Sequence, residues 1–212
     1  GSTGRPKGVP LTFGNMAAAC QSLVRHGFNF SESDVYLSYL PMAHVYERVN
    51  GMGMCLWNAV PTAFCRTDEL ADTLPIVRPT ILIGVPAVWR KIKDKITHEL
   101  NTASGVKAKM IAWAFDDSAN IGYFAGIRKH IAQAVVFKTI RGKLGGKLRL
   151  LMSGGAAINP EVIVFFNKLG LNLRQGYGMT ETTGGIAAET DASNRPGSVG
   201  RMIDCVEVKF VV

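Results

Sequence analysis

Short, continuously apolar runs alternate along this chain with longer stretches in which apolar positions recur every three or four residues. That alternation predicts an α/β fold, an open and mostly parallel sheet flanked by helices, because strands covered on both faces read as unbroken apolar runs. Strands are predicted at 35–40, 62–65, 80–84, 148–152 and 171–175, the clearest being Thr80-Ile81-Leu82-Ile83-Gly84. Helical patterns fall at 45–59, from Asp68 onward with Pro75 and Pro79 as limits, and at 86–100, 107–120 and 126–142. Pro86 suits a helix start, where its missing N–H has no intrahelical partner to lose. The best-marked helix has Asn159 as N-cap, Pro160 at its first position, Glu161 in the first turn and Gly170 as terminator. Its apolar set (Val162, Ile163, Phe165, Phe166, Leu169) forms one stripe for burial. The tail at 206–212 alternates and then runs apolar, which predicts a last strand.

Composition narrows the picture. With 212 residues, 47% of them hydrophobic and 19% charged, the chain can bury a large core and is not disordered. Gly1 to Lys7 carries no apolar stretch, and no apolar run reaches the roughly 18 residues of a membrane span. The expectation is an intracellular protein, cytoplasmic or peripherally membrane-associated, whose natural start lies before Gly1. Cys20, Cys55, Cys65 and Cys205 are scattered without metal-ligand spacing, which predicts unlinked thiols. The net charge of +8 is local: residues 90–149 hold 13 Lys/Arg against 4 Asp/Glu. Such a region suits nucleic acid, anionic lipid or simply water. It carries no groove-reading motif and few interleaved aromatics, so no nucleic acid is expected as a partner.

Four segments carry candidate chemistry. Gly1-Ser2-Thr3-Gly4-Arg5-Pro6-Lys7-Gly8 combines glycines, hydroxyls and a lysine, as a loop wrapping anionic oxygens requires. Its spacing differs from that of a Walker A loop, and taken alone such a loop is more often an ordinary turn. Gly176-Tyr177-Gly178-Met179-Thr180-Glu181 follows the predicted strand at 171–175. It offers a ring for stacking, a hydroxyl for phosphate and a carboxylate for Mg2+, or else a tight turn with a solvated Glu. Ser153-Gly154-Gly155-Ala156-Ala157 stands where open parallel sheets bind ligands, beyond a strand's carboxyl end. His44, in Leu40-Pro41-Met42-Ala43-His44-Val45-Tyr46-Glu47-Arg48, also follows a strand, with Glu47 and Arg48 expected to be solvated or structurally paired.

In this order and at these distances, the segments resemble the motifs of the adenylate-forming superfamily of acyl-CoA synthetases, luciferases and peptide-synthetase adenylation domains. G-S-T-G-R-P-K-G-V resembles its phosphate loop, L-P-M-A-H-V its substrate-region motif, and R-P-T-I-L-I-G-V-P a shared strand and turn. L-R-L-L-M-S-G-G-A-A and G-Y-G-M-T-E-T are similar to its adenine-pocket and magnesium motifs. The resemblance spans the whole chain. A-H-V-Y-E-R and the helical insertion between Val88 and Leu144 look most like the long-chain fatty acyl-CoA synthetases.

That resemblance implies a ligase with ATP, Mg2+ and CoA as co-reactants: a fatty acid attacks ATP to form acyl-AMP, and CoA then displaces AMP. By the same resemblance Ser2, Thr3, Gly4 and Lys7 hold the β- and γ-phosphates. Thr180 contacts the α-phosphate, Glu181 binds Mg2+, and Tyr177, beside Gly178, stacks on adenine. Gly154, Gly155 and Ala156 line the adenine and acyl pocket, with His44 bordering the acyl site. The family's ribose-binding aspartate motif, hinge and small lysine-bearing domain do not occur before Val212. The implied assignment for 1–212 is therefore a partial AMP-binding domain from the large N-terminal domain, without the C-terminal domain, with weak nucleotide affinity and no turnover of its own. Two alternatives stay open: an enzyme activating another carboxylate, or an inert nucleotide-binding relative. The basic region 90–149 supplies a surface for peripheral membrane association.

Overall fold

The computed structural model describes residues 7–115 and 123–209, the side chains of 123–129 excepted. Its centre is a seven-stranded sheet, in the order β2-β1-β3-β4-β5-β6-β7. The strands are β1 (Tyr36–Ser38), β2 (Thr62–Phe64), β3 (Ile81–Gly84), β4 (Leu150–Ser153), β5 (Leu173–Met179), β6 (Gly184–Ala188) and β7 (Arg201–Met202). The first five run parallel, and β6 and β7 close the edge antiparallel.

Side-chain alternation along the strands builds two cores. Leu37, Leu82, Leu151 and Leu173 point to one face, covered by α3 (Leu70–Val77), α4 (Pro86–Asn101), α5 (Gly105–Phe115), α6 (Tyr123–Lys143) and α7 (Pro160–Lys168). Trp89 of α4 meets Phe166 of α7 edge-on there, ring centres 5.5 Å apart. Tyr36, Ile81, Ile83, Leu150 and Met152 point to the other face. It is covered by α1 (Phe13–Arg25), a π-helix (Tyr46–Gly53) and its continuation α2 (Met54–Trp57). At the strand starts, Asp34 accepts from Thr80 Oγ1 (2.7 Å) and Arg149 Nε (2.7 Å), tying β1, β3 and β4 together.

Most predicted elements are present. Asn159 caps α7 by accepting from Glu161 N at 2.9 Å, and Gly170 terminates it in a left-handed turn (φ 71°). The four cysteines are free thiols. Other expectations are corrected. The helix expected from Asp68 begins at Leu70, since Asp68 and Glu69 turn back to Arg66. It runs through Pro75, where the missing N–H costs only one bond in a short helix, and ends at Arg78 with positive φ. The strand expected at 171–175 extends through Gly176-Tyr177-Gly178 to Met179, because β6 supplies an antiparallel partner. Val206–Lys209 is not a strand; the sheet edge is formed by β7 instead, and 210–212 lie outside the described residues. The sequence reading had no counterpart for α1, which starts at a capping box between Thr12 and Asn15.

Candidate functional site

One cavity of about 470 Å³ opens beyond the carboxyl ends of β4 and β5, between the sheet and the π-helix. Its exposed rim carries Lys7, His44, Tyr177, Thr180 and Glu181, whereas Leu23, Phe28, Phe30, Met54, Ile83 and Leu150 line its buried interior. A polar rim over an apolar interior fits a ligand with a charged head and a hydrocarbon body.

Glycines make the room. A methyl at Gly154 would lie 2.8 Å from the ring of Tyr46, so that ring lies directly on the backbone of the β4 turn. Tyr46 is held there by donation from Oη to the Met152 carbonyl at 3.2 Å. At Gly178 a methyl would lie 1.9 Å from the Gly184 carbonyl, so β5 and β6 meet more closely there than any side chain allows. The pairing register shifts between Tyr177 and Gly178, a bulge of the kind that re-aims side chains near ligand sites.

After β5 the chain folds into a single 3₁₀ turn, Thr180–Thr182. Thr182 Oγ1 lies 3.0 Å from the carbonyls of both Met179 and Gly184 and 3.3 Å from Met179 N, pinning both ends of the turn. This holds Thr180 and Glu181 outward at the rim. Tyr177 is 47% exposed, so a planar group can reach its ring. His44 Nδ1 accepts from Tyr46 N at 3.1 Å, which directs Nε2 away from the backbone.

Of the residues singled out in the sequence, Lys7, His44, Gly154, Gly155, Tyr177, Gly178, Thr180 and Glu181 all line this cavity. Ala156 does not: it lines a separate pocket of about 230 Å³ with Val85, Arg90 and Asn159. Ser2, Thr3 and Gly4 lie outside the described residues. Among the described residues no cluster of three His, Cys, Asp or Glu is placed to hold a metal. A single carboxylate at the rim is the arrangement for Mg2+ delivered on phosphate oxygens.

Several wall residues escaped sequence reasoning. Tyr46, Asn50, Gly184 and Gly185 line the cavity, and only the Gly184-Gly185 pair carried a local signal, that of a turn. Glu47, expected to be solvated or structurally paired, is fully buried and paired: it accepts from Tyr36 Oη (2.8 Å) and Ser38 Oγ (2.6 Å). The pairing has a physical reason: two hydroxyls on adjacent β1 positions of one face replace water around the carboxylate.

The family described as AMP-binding enzyme matches residues 1–211. A peroxisomal long chain acyl-CoA synthetase 7 from Arabidopsis thaliana is 37% identical over 214 residues, covering 100% of this chain and 30% of the relative. A long-chain-fatty-acid–CoA ligase 1 from Schizosaccharomyces pombe is 33% identical, covering 100% of this chain and 32% of the relative. The chain thus spans about a third of these relatives' length. Among solved structures, an o-succinylbenzoate CoA synthetase from Bacillus subtilis, in complex with an acyl-adenylate intermediate, superposes with a TM-score of 0.64 at 17% identity, covering 96% of this chain and 34% of its own. A benzoate CoA ligase from Burkholderia xenovorans superposes with a TM-score of 0.63 at 18% identity, covering 94% and 33%. At these identities the superpositions show a shared fold.

Proposed function

This chain belongs to the AMP-binding enzyme family, and from that premise we propose that its cavity is the nucleotide and acyl site of a long-chain fatty acid–CoA ligase. The observation that carries the reading is that one cavity has Lys7, Tyr177, Thr180 and Glu181 at its rim and an apolar interior around Phe28, Phe30 and Met54. The names of the similar relatives point the same way. The apolar interior favours a fatty acid over other carboxylates.

In the first half-reaction a carboxylate oxygen of the fatty acid attacks the α-phosphorus of ATP. The bond to the β-phosphate oxygen breaks, pyrophosphate leaves, and acyl-AMP forms. In the second, the sulfur of CoA attacks the acyl carbon, the thiol loses its proton, and AMP leaves. The protein's part is positioning and charge stabilisation. Lys7 faces the outer phosphates, as Ser2, Thr3 and Gly4 do in the reading from resemblance. The Thr180 hydroxyl meets the α-phosphate, and the Tyr177 ring stacks on adenine. Gly154 and Gly155 let the ligand approach the backbone, and His44 borders the carboxylate. Glu181 is the ligand for Mg2+, which lowers the charge on the phosphates when bound. Ala156, on the neighbouring pocket, lies beside this path.

Calorimetric titration of Mg·ATP tests the assignment directly. Glu181→Ala is expected to weaken Mg·ATP binding by about tenfold, equivalent to about 1.4 kcal/mol. Lys7→Ala is expected to do so whether or not Mg2+ is present. Equal binding by wild type and Glu181→Ala refutes the metal role.

A second surface supports membrane contact. Val106, Ile131 and Val135 are 75%, 57% and 48% exposed on α5 and α6, beside the exposed Lys107, Lys109 and Lys138. Apolar side chains among lysines suit an anionic bilayer, where each lysine contributes about 1 kcal/mol. No described helix is long and apolar enough to cross a membrane. Sedimentation with phosphatidylserine vesicles is expected to capture the chain at low salt, and Ile131→Glu with Val135→Glu to release it. Equal capture by neutral vesicles counts against the reading.

A further inference from the structure

Glu47 is a buried carboxyl with no cationic partner among the described residues. It is 0% exposed, and the hydrogen bonds recorded to it come from Tyr36 Oη (3.0 and 2.8 Å to its two oxygens) and Ser38 Oγ (2.6 Å). Burying a carboxylate without a counter-ion is unfavourable, and an apolar side chain would pack the π-helix on β1 at lower cost. Directionality is what the carboxylate supplies and an apolar side chain does not. Its oxygens fix both the rotation and the height of the helix against Tyr36 and Ser38.

The helix is shaped to receive this contact. Gly51 stands one turn on, and a methyl there would lie 2.7 Å from Tyr36 Oη and 3.1 Å from the Glu47 carboxyl carbon. The widened π-turn and Gly51 together open the space that the hydroxyl and carboxylate fill. The neighbouring positions on the same helix are cavity wall. Tyr46 lies on Gly154, and Asn50 Oδ1 lies 2.5 Å from where a methyl on Gly184 would be.

We propose that Glu47 is a positioning residue for the acyl end of the cavity: clamped by Tyr36 and Ser38, it sets the π-helix so that Tyr46 and Asn50 form the inner wall. The inference rests on reading this cavity as a fatty-acyl site. Glu47 itself does not line the cavity and has no recorded bond to Lys7, Thr180 or Glu181, so its influence falls on the acyl ligand through Tyr46 and Asn50 and spares the nucleotide.

The test compares wild type, Glu47→Ala, Glu47→Gln and Tyr36→Phe, each titrated with a fluorescent long-chain fatty acid and separately with Mg·ATP. Amide hydrogen exchange over Tyr46–Gly53 is measured alongside. Glu47→Ala leaves two buried hydroxyls unpaired and is expected to weaken fatty-acid binding about tenfold, with Mg·ATP affinity held within about twofold. It is also expected to speed exchange across the π-helix. Glu47→Gln, which can still pair with both hydroxyls, is expected to restore fatty-acid affinity to within about threefold of wild type. Tyr36→Phe, a milder lesion should Glu47→Ala not fold, is expected to fall between. Faster exchange with unchanged fatty-acid affinity overturns positioning and leaves a structural role only. An equal loss for both ligands also overturns it. If wild type itself binds no fatty acid, the acyl reading of the cavity fails, and unchanged exchange in Glu47→Ala then overturns the clamp as well.

Discussion

The two faces of the sheet solve different problems with the same strands. On the closed face, Leu37, Leu82, Leu151 and Leu173 meet Trp89, Ile163 and Phe166, all at most 1% exposed. On the cavity face glycines stand just past β4 (Gly154, Gly155) and within the end of β5 (Gly176, Gly178), and the covering helix brings Tyr46, Glu47 and Asn50 where the closed face has aliphatic and aromatic groups. Stability is concentrated where large side chains interlock, and ligand space lies where side chains have been removed. The two functions are separated by one strand's thickness, with Leu150 and Met152 facing the cavity and Leu151 facing the closed core.

The largest effect that can test this division comes from the closed face. Trp89→Ala removes a ring that is 1% exposed and packed edge-on against Phe166. It is expected to cost about 3–5 kcal/mol in urea denaturation. Because Trp89 does not line the cavity, the protein that remains folded is expected to bind Mg·ATP as wild type does. A loss of affinity with intact folding shows that the faces are coupled and breaks the comparison.

The division also explains what could be read from the sequence. Interior strands were legible because burial on both faces leaves a continuous apolar run, as in Thr80-Ile81-Leu82-Ile83-Gly84. The α7 boundaries were legible because Asn159, Pro160 and Gly170 act locally. Rim segments were legible because each directly follows a strand, and the topology brings strand ends together. What stayed hidden depends on partners distant in sequence. Gly184-Gly185-Ile186-Ala187-Ala188 has little apolar alternation and becomes β6 by pairing with β5. The α1 helix is the exception: its Thr12 cap and its buried stripe of Ala19, Cys20 and Leu23 are local signals that the sequence reading passed over. Glu47 looks like any polar helix residue until Tyr36 and Ser38, nine to eleven positions earlier, come into contact with it.

A smaller effect sharpens the contrast from the cavity side. Gly154→Ala places a methyl 2.8 Å from the Tyr46 ring, which is tied by its hydroxyl to Met152 and cannot yield freely. The expected cost is about 1–3 kcal/mol in stability. Fatty-acid binding is also expected to fall, since the methyl pushes the inner wall. Gly142→Ala is the control on the other side, at an exposed helical position with nothing within 4 Å of the added methyl. It is expected to stabilise by about 0.5 kcal/mol with ligand binding unchanged.

The smallest and most specific effect is in pH dependence, because buried charge is handled oppositely in two places. Burial works against ionisation of Asp34, but donation from Arg149, Thr80 and the Ser31 backbone outweighs it and lowers the carboxyl from 3.8 to about 2. A lowered folded-state value stabilises above the unfolded value, and that stability is lost as pH falls from about 4 toward about 2. With Arg149 partly exposed, the contribution is about 1–2 kcal/mol. On the cavity side, burial raises the Glu47 carboxyl above its usual 4.5, even though Ser38 and Tyr36 donate to it. Burial likewise raises Glu189, against donation from the backbone of Gln175 and Arg195. A raised folded-state value has the opposite sign: its stabilisation is complete below about pH 4.5 and fades as pH rises through the folded value. Urea midpoints measured across pH are therefore expected to rise from about pH 2 to about 4 and then to decline. Asp34→Asn should flatten the acid limb alone, and Glu47→Gln should flatten part of the upper limb alone. If both substitutions flatten the same limb, the charges share one environment and the two sites do not differ as their partners imply.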